Sequence, residues 1–129
     1  MKRIIVYGSL RLNEYNYNRL KEQYEDNFNW LKTIKLQGYK LYSLGAYPGI
    51  KESKYIDNEL VCDIIEVSLE CYNSIFRMEI GANYECKIIP IEGIDITIYL
   101  YKGTVNENKL IINGDWSNRI ILEKNETCL

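Results

Sequence analysis

The stretch WLKTIKLQGYKLYSLGAYPGI, residues 30–50, indicates consecutive strands with no helix between them. Up to Leu44 its apolar and polar residues alternate, as they do along a half-buried strand, and Gly38 interrupts the alternation. We therefore predict one strand on each side of a bend at Gly38. The segment that follows, residues 45–50, contains a Pro-Gly pair that is typical of a turn or loop.

The rest of the chain divides into short strands and two helices. An apolar run ended by Gly8 predicts a first strand at residues 2–7. Asn13 is a suitable N-cap for a helix over residues 14–26, and Ser68 is one for a helix over residues 69–80. Further strands are predicted at residues 59–67, 82–91 and 94–103, and Pro90 favours an edge position for its strand.

This order of elements favours an α+β domain. The strands follow one another without crossover helices, and a small curled sheet or barrel would hide their edges. A chain of 129 residues is long enough for one core and too short for two. We expect a single domain over residues 1–129, with a tail from about residue 117 of uncertain order.

The composition excludes several kinds of site. The chain has a net charge of −2 and no histidine, and its four cysteines form no CxxC pair. Histidine-based triads and the usual zinc sites are therefore excluded, and Cys62 and Cys86 are predicted to be free and buried. Scattered charges indicate no nucleic-acid partner, and no stretch approaches the ~20 apolar residues of a membrane span. We expect a cytoplasmic protein without a membrane partner.

Glu79 is a carboxylate on a helix face that should pack against the sheet. At about 100° per residue it shares this face with Tyr72, Ile75 and Phe76. It also lies near the helix C-terminus, where the helix dipole disfavours an anion, and burial would raise its pKa further. A carboxyl with a pKa near neutrality suits general acid–base catalysis. The alternative is that the helix ends early and Glu79 points to solvent.

The N-terminal segment KRIIVYGSLRLNEYN, residues 2–16, resembles the openings of two families. One is that of the flavodoxin-like FMN reductases, in which a strand leads into a GSLR-type phosphate loop. Backbone N–H groups after the strand would then bind a flavin phosphate at the helix N-terminus. That fold, however, needs about five parallel strands alternating with helices, and this chain has too few helices.

The same opening resembles the gamma-glutamylcyclotransferase-like family, which includes AIG2-like proteins and gamma-glutamylamine cyclotransferases. VYGSL, residues 6–10, matches its N-terminal hallmark, and GYKLYSLGAYPGI matches a second segment. The helix that ends in Glu79, with Tyr84 after it, matches a third. ITIYLYKG (residues 96–103) and GDW (residues 114–116) match the last two, and all the segments occur in the family's order.

The resemblance implies a small mixed β-barrel with flanking helices and an enzyme that needs no metal or cofactor. Its reaction is an intramolecular aminolysis: the free α-amine of a small-molecule γ-glutamyl substrate attacks its own γ-carbonyl, which gives 5-oxoproline and a free amine or amino acid. Glu79 would be the general acid–base. Because nucleophile and electrophile belong to one molecule, such an enzyme mainly holds the substrate in its reacting geometry.

The resemblance also implies the binding residues. The loop Tyr7-Gly8-Ser9-Leu10 would bind the glutamyl moiety through backbone N–H groups, and Tyr84 follows the catalytic helix. Tyr47 and Pro48 would shape the rim of the pocket, or serve only in a turn. Tyr99 and Tyr101 would line the pocket, or belong to the core.

Departures from the family pattern leave the substrate open. Ile75-Phe76 replace a common Leu-Asp, Ile80 replaces a Gly and Cys86 an Arg, and Cys62-Asp63 stand where the family frequently has Gly-Glu. A second hypothesis is therefore a non-catalytic module that binds or sequesters a small molecule on the same fold. The FMN-binding reductase is a third.

Overall fold

The computed structural model describes residues 1–122, and the last part of the predicted tail lies outside them. Its strands are β1 (Lys2–Val6), β2 (Phe28–Gln37), β3 (Tyr39–Ser43), β4 (Pro48–Glu52), β5 (Glu59–Val67), β6 (Tyr84–Ile91) and β7 (Ile94–Tyr101). Its helices are α1 (Tyr15–Tyr24) and α2 (Leu69–Gly81), and short 3-10 turns occupy Glu25–Asn27 and Glu107–Lys109. The α+β class is confirmed.

Five strands form one mixed sheet in the order β2-β5-β1-β7-β6. Strand β1 pairs antiparallel with β5 and parallel with β7, so it lies at the centre of the sheet. Strands β3 and β4 form a separate antiparallel hairpin. The prediction of a barrel is wrong, because the two sheets do not close: β2 and β6 remain at opposite edges of the five-stranded sheet.

The alternation of side chains along β1 explains why the sheet does not need to close into a barrel. Ile5 and Tyr7 point into an apolar cluster shared with the β3–β4 hairpin, whereas Ile4 and Val6 point into a second cluster shared with α1 and α2. The hairpin therefore covers one face of the sheet and the helices cover the other. Both faces are buried without the sheet curling onto itself.

Several local predictions are confirmed. Strand β5 has the predicted bounds, and the bend at Gly38 separates β2 from β3. The hydroxyl of Ser68 accepts a hydrogen bond from the Cys71 amide at 3.2 Å, which caps α2 as predicted. Strand β6, which contains Pro90, lies at a sheet edge.

Other local predictions are wrong. Asn13 is not the cap of α1: it has a left-handed φ of 67°, and Glu14 occupies the cap position. The predicted turn at residues 45–50 is shorter, since Pro48 begins β4 and pairs with Ser43. Cys62 is buried as predicted, but Cys86 is exposed.

The GDW segment packs against the start of β5. Gly114 has a left-handed φ of 63°, and a Cβ at this position would collide with the Glu59 carbonyl, so a glycine is required. The Gly114 carbonyl accepts a hydrogen bond from the Val61 amide at 2.8 Å. Within the described residues, neither helix has the length and apolar character needed to cross a membrane.

Candidate active site

A cavity of about 400 Å³ lies between α2, α1, the loop after β1 and the strands β4 and β7. Every residue that sequence analysis proposed for the site lines it: residues 7–10, Tyr47, Pro48, Glu79, Tyr84, Tyr99 and Tyr101. Their catalytic and binding roles remain predictions. The structure brings together in one cavity groups that are far apart in the sequence.

The loop of residues 7–10 forms one wall. It is closed by a hydrogen bond from the Arg11 amide to the Gly8 carbonyl at 3.0 Å, and the Tyr17 amide of α1 donates to the Ser9 carbonyl at 3.0 Å. The amides of Gly8, Ser9 and Leu10 donate no hydrogen bond to any described residue. Three successive free N–H groups are suited to an anion or a carbonyl oxygen.

The hairpin packs closely against this loop. A Cβ on Gly8 would lie 2.7 Å from Cγ of Pro48, which is closer than such atoms can approach. Pro48 is itself held by its carbonyl, which accepts a 2.6 Å hydrogen bond from the Tyr84 hydroxyl. The first residue of β4 is therefore part of the wall of the site, and the glycine permits its close approach.

Glu79 lies in the last turns of α2, which runs on to Gly81, so the alternative of an early helix end is wrong. Its side chain makes no ion pair and no hydrogen bond with the described residues. Burial raises its pKa from 4.5 to about 7. Of the predicted face, Ile75 is buried and Tyr72 is half-buried, but Phe76 is exposed.

Buried phenols line the cavity together with Glu79. Burial raises the pKa of both Tyr7 and Tyr84 well above the ordinary value of a phenol. The negative charge of Glu79 raises both pKa values further. The Tyr7 hydroxyl donates to the Tyr99 carbonyl at 2.6 Å. These groups therefore stay protonated at neutral pH and can donate hydrogen bonds but not act as bases.

The two tyrosines of β7 differ in their surroundings. Tyr99 is buried, and its hydroxyl has no hydrogen-bond partner among residues 1–122. The ring of Tyr101 lies 5.3 Å from that of Tyr84, and Lys51 donates to its carbonyl at 2.7 Å. Tyr47 is 58% exposed and lies at the rim. A buried phenol in the cavity lining whose hydroxyl has no partner is available to a polar ligand.

Sequence analysis missed the polar residues of α1. Asn16 and Arg19 both line the cavity. Asn16 Nδ2 donates to Ser9 Oγ at 2.7 Å, and Arg19 donates from Nε and Nη2 to Asn16 Oδ1, both at 3.3 Å. Their three-residue spacing places them on one helix face, which is the signal that was available in the sequence.

It also missed the ion pairs that hold the loop. The guanidinium of Arg11 lies 3.4 Å from Asp63 and 2.7 Å from Asp115. Asp63 also accepts two hydrogen bonds, from the Leu12 amide at 2.9 Å and from Thr33 Oγ1 at 2.8 Å. No cluster of three or more metal-ligating side chains occurs in the described part of the chain.

Comparison with known proteins shows which family the chain resembles over most of its length. The family model described as "Gamma-glutamyl cyclotransferase, AIG2-like" matches residues 4–118. The gamma-glutamylcyclotransferase family protein YtfP of Escherichia coli strain K12 is 31% identical over 117 residues, which cover 91% of this chain and 97% of that protein. A putative gamma-glutamylcyclotransferase of Vibrio cholerae is 30% identical over 117 residues, with 91% and 96% covered.

Solved structures have the same fold. The solution structure of YtfP from Escherichia coli superposes with a TM-score of 0.68 at 28% identity, covering 90% of this chain and 96% of that one. PH0828 from Pyrococcus horikoshii gives a TM-score of 0.73 at 24% identity, with 91% of each chain covered. An AIG2-like protein of Mus musculus gives 0.67 at 15% identity, with 97% and 88% covered.

Proposed function

Because this chain belongs to the gamma-glutamyl cyclotransferase, AIG2-like family, we propose that it converts a γ-glutamyl amine or peptide into 5-oxoproline and a free amine or amino acid. The observation that supports this proposal most directly is the position of Glu79. It lines the same cavity as the free amides of residues 8–10, and it is a half-buried, unpaired carboxyl whose pKa is raised by desolvation to about 7. A small-molecule substrate and a cytoplasmic location are part of the proposal.

Glu79 acts as the general acid–base. Its carboxylate takes a proton from the α-ammonium of the substrate, and the resulting amine attacks the γ-carbonyl. A C–N bond closes the five-membered ring, Glu79 gives its proton to the leaving nitrogen, and the original amide C–N bond breaks. The ring nitrogen loses a second proton to become the lactam N–H, and the released amine takes up that proton and leaves as an ammonium ion. No water is consumed, so the cavity need only hold the substrate in its folded, reacting conformation.

The loop of residues 8–10 binds the anionic groups. Its amides lie free on the cavity wall, where they stabilise the oxyanion of the tetrahedral intermediate or hold the α-carboxylate of the glutamyl group. The buried hydroxyl of Tyr99 supplies a further donor. Tyr84 acts indirectly, because it holds the carbonyl of Pro48 and with it the part of the wall that packs against the loop.

The experiment is a 5-oxoproline assay over a panel of γ-glutamyl amines, dipeptides and glutathione-like compounds. We expect turnover of at least one of them, and a loss of about 100-fold or more in Glu79→Gln. Glu70→Gln, which removes a carboxyl from the exposed start of the same helix, is the matched control and should keep the activity. The absence of product with every compound, or full activity in Glu79→Gln, would contradict the proposal.

The two other hypotheses are not favoured. The flavodoxin-like fold requires a parallel sheet, and here the central strand β1 is parallel to β7 alone among its neighbours. An unpaired, partly buried carboxyl costs folding free energy, and proton transfer gives it a use that a non-catalytic module lacks.

A further inference from the structure

Two charged residues of the described chain line the cavity. Glu79 is the acidic residue of the lining, and Arg19 is the basic one. Glu79 is shielded strongly enough for burial to raise its pKa, whereas Arg19 is exposed on α1. The acid therefore lies inside the cavity and the guanidinium lies near its opening.

The guanidinium of Arg19 is held in place but remains available. Two of its N–H groups donate to Asn16 Oδ1, and Asn16 in turn donates to Ser9. An arginine has five N–H donors, so three are left for a ligand. Arg19 forms no ion pair with any residue in the described part of the chain.

The proposed reaction fixes the orientation of the substrate. The α-amine must reach Glu79, and the α-carboxylate is bonded to the same carbon, so the glutamyl head occupies the inner part of the cavity with the amides of residues 8–10. Glu79 and Tyr7, the first residue of this loop, line the same cavity. The leaving group then extends to the opening, where Arg19, Tyr47 and Met78 are exposed.

We propose that Arg19 binds a carboxylate on the leaving group, an inference that rests on the proposed function. The preferred substrates are then γ-glutamyl compounds that release an α-amino acid, or another amine that carries a carboxylate, and not those that release a neutral or cationic amine. A guanidinium binds a carboxylate through two parallel hydrogen bonds, and it repels the second ammonium of a diamine.

A matched pair of substrates tests this preference. γ-Glutamylalanine and γ-glutamylethylamide differ only in the carboxylate of the leaving group. We expect kcat/KM to be about tenfold higher for γ-glutamylalanine, which is the effect of one charge-assisted hydrogen bond. Since Arg19 is exposed, this preference should weaken between about 0.05 M and about 1 M salt.

Substitution of Arg19 tests whether its guanidinium causes the preference for γ-glutamylalanine. In Arg19→Met the ratio of the two kcat/KM values should fall to near one and lose its salt dependence, and Arg19→Lys should retain part of it. Arg77→Met is the control, because Arg77 is an exposed arginine of α2 outside the cavity. An unchanged ratio in Arg19→Met overturns the inference, and so does an equal loss on both substrates, which would assign Arg19 to the glutamyl head.

Binding measurements keep this inference separate from the proposed function. In Glu79→Gln, where turnover is removed, calorimetry with the same two compounds should give a dissociation constant about tenfold lower for γ-glutamylalanine, and Arg19→Met should remove the difference. If neither compound yields 5-oxoproline with the unmodified protein, the proposed function fails for this pair while the binding data still decide the role of Arg19. No preference in binding, or one that survives Arg19→Met, overturns that role.

Discussion

Arg11 Nη1 donates a 2.7 Å hydrogen bond to Asp115 Oδ1 across 104 positions of the sequence. The same guanidinium lies 3.4 Å from the buried carboxylate of Asp63 on β5. Arg11 follows directly on the loop of residues 7–10, whose amides form the proposed anion site. One side chain therefore fastens this loop both to the central sheet and to the GDW segment.

Asp63→Asn should destabilise the protein by about 3 kcal/mol, because it leaves the charge of buried Arg11 without its inner partner. The asparagine NH2 group would also face a donor, either the Leu12 amide or the Thr33 hydroxyl. Urea unfolding at neutral pH measures the change. Glu59→Gln on the same strand is the control and should cost less than about 0.5 kcal/mol, since Glu59 forms an exposed pair with Lys35 at 3.7 Å. Equal effects of the two substitutions would contradict this role of Asp63.

The bond between Arg11 and Asp115 should be lost in acid. Burial raises the pKa of Asp115, but hydrogen bonds from Arg11 and Asn118 outweigh it and lower the pKa below its ordinary value of 3.8. Above pH 3.8 the carboxylate is ionised in both the folded and unfolded chain, and its contribution to stability is complete. As the pH falls through the lower folded pKa, the contribution disappears.

Asp115→Asn should therefore lower the free energy of unfolding by about 1 kcal/mol at neutral pH. The difference from the unmodified protein should shrink as the pH falls below 3.8. Denaturant unfolding over a series of pH values measures it. A difference that is constant down to the lowest pH would mean that the charge of Asp115 does not contribute.

Gly8→Ala should distort the site, because the added Cβ would collide with Pro48 of the β3–β4 hairpin. The added Cβ would lie 2.7 Å and 2.8 Å from two carbons of the Pro48 ring, which is rigid and buried, so either the loop or β4 must shift. Overpacking of this kind costs about 1–3 kcal/mol. We expect a lower melting temperature together with loss of 5-oxoproline formation.

Gly81→Ala is the control for this substitution. Gly81 ends α2 with an ordinary φ, and a Cβ there meets no atom within 4 Å, so alanine should be neutral or slightly stabilising. Circular dichroism melting of the two variants makes the comparison. A Gly8→Ala protein as stable and as active as Gly81→Ala would show that the approach of Pro48 is not required.

Elements with a regular pattern were predictable from the sequence. The strand predicted at residues 59–67 has the bounds of β5, and the serine before α2 indicated where that helix begins. The beginning of β4 was not predictable from Pro48 itself, because proline is tolerated as the first residue of a strand and only pairing with Ser43 reveals the strand. Local propensity favoured a turn, and the tertiary pairing overrode it.

Closure of the sheet and the contacts of Arg11 were not predictable for a different reason. Whether β2 meets β6 depends on how the hairpin and the helices cover the two faces, which no local pattern records. The partners of Arg11 are distant in sequence, and Asp63 was first interpreted only as a departure from a Gly-Glu pattern. Glu79 was identifiable, because a carboxylate on an apolar helix face conflicts with its surroundings.

Glu79→Gln should make the protein more stable at alkaline pH while it removes activity. Burial raises the pKa of Glu79 from 4.5 to about 7, so the folded chain holds a proton that the unfolded chain has lost over this interval. Stability is complete below pH 4.5 and falls as the pH rises through about 7. At 1.36 kcal/mol per pKa unit the loss reaches up to about 3 kcal/mol, and a neutral glutamine avoids it.

Two measurements check this prediction. Urea unfolding should show Glu79→Gln more stable than the unmodified protein at about pH 8, with the gain gone near pH 4.5. In the unmodified protein, log kcat/KM should rise with unit slope up to about pH 7 and then level, since the base form of Glu79 starts the reaction. Glu70→Gln on the exposed start of α2 should leave both profiles unchanged. If the stability gain of Glu79→Gln over the unmodified protein is no larger at about pH 8 than at acid pH, Glu79 is solvated and not held in the cavity.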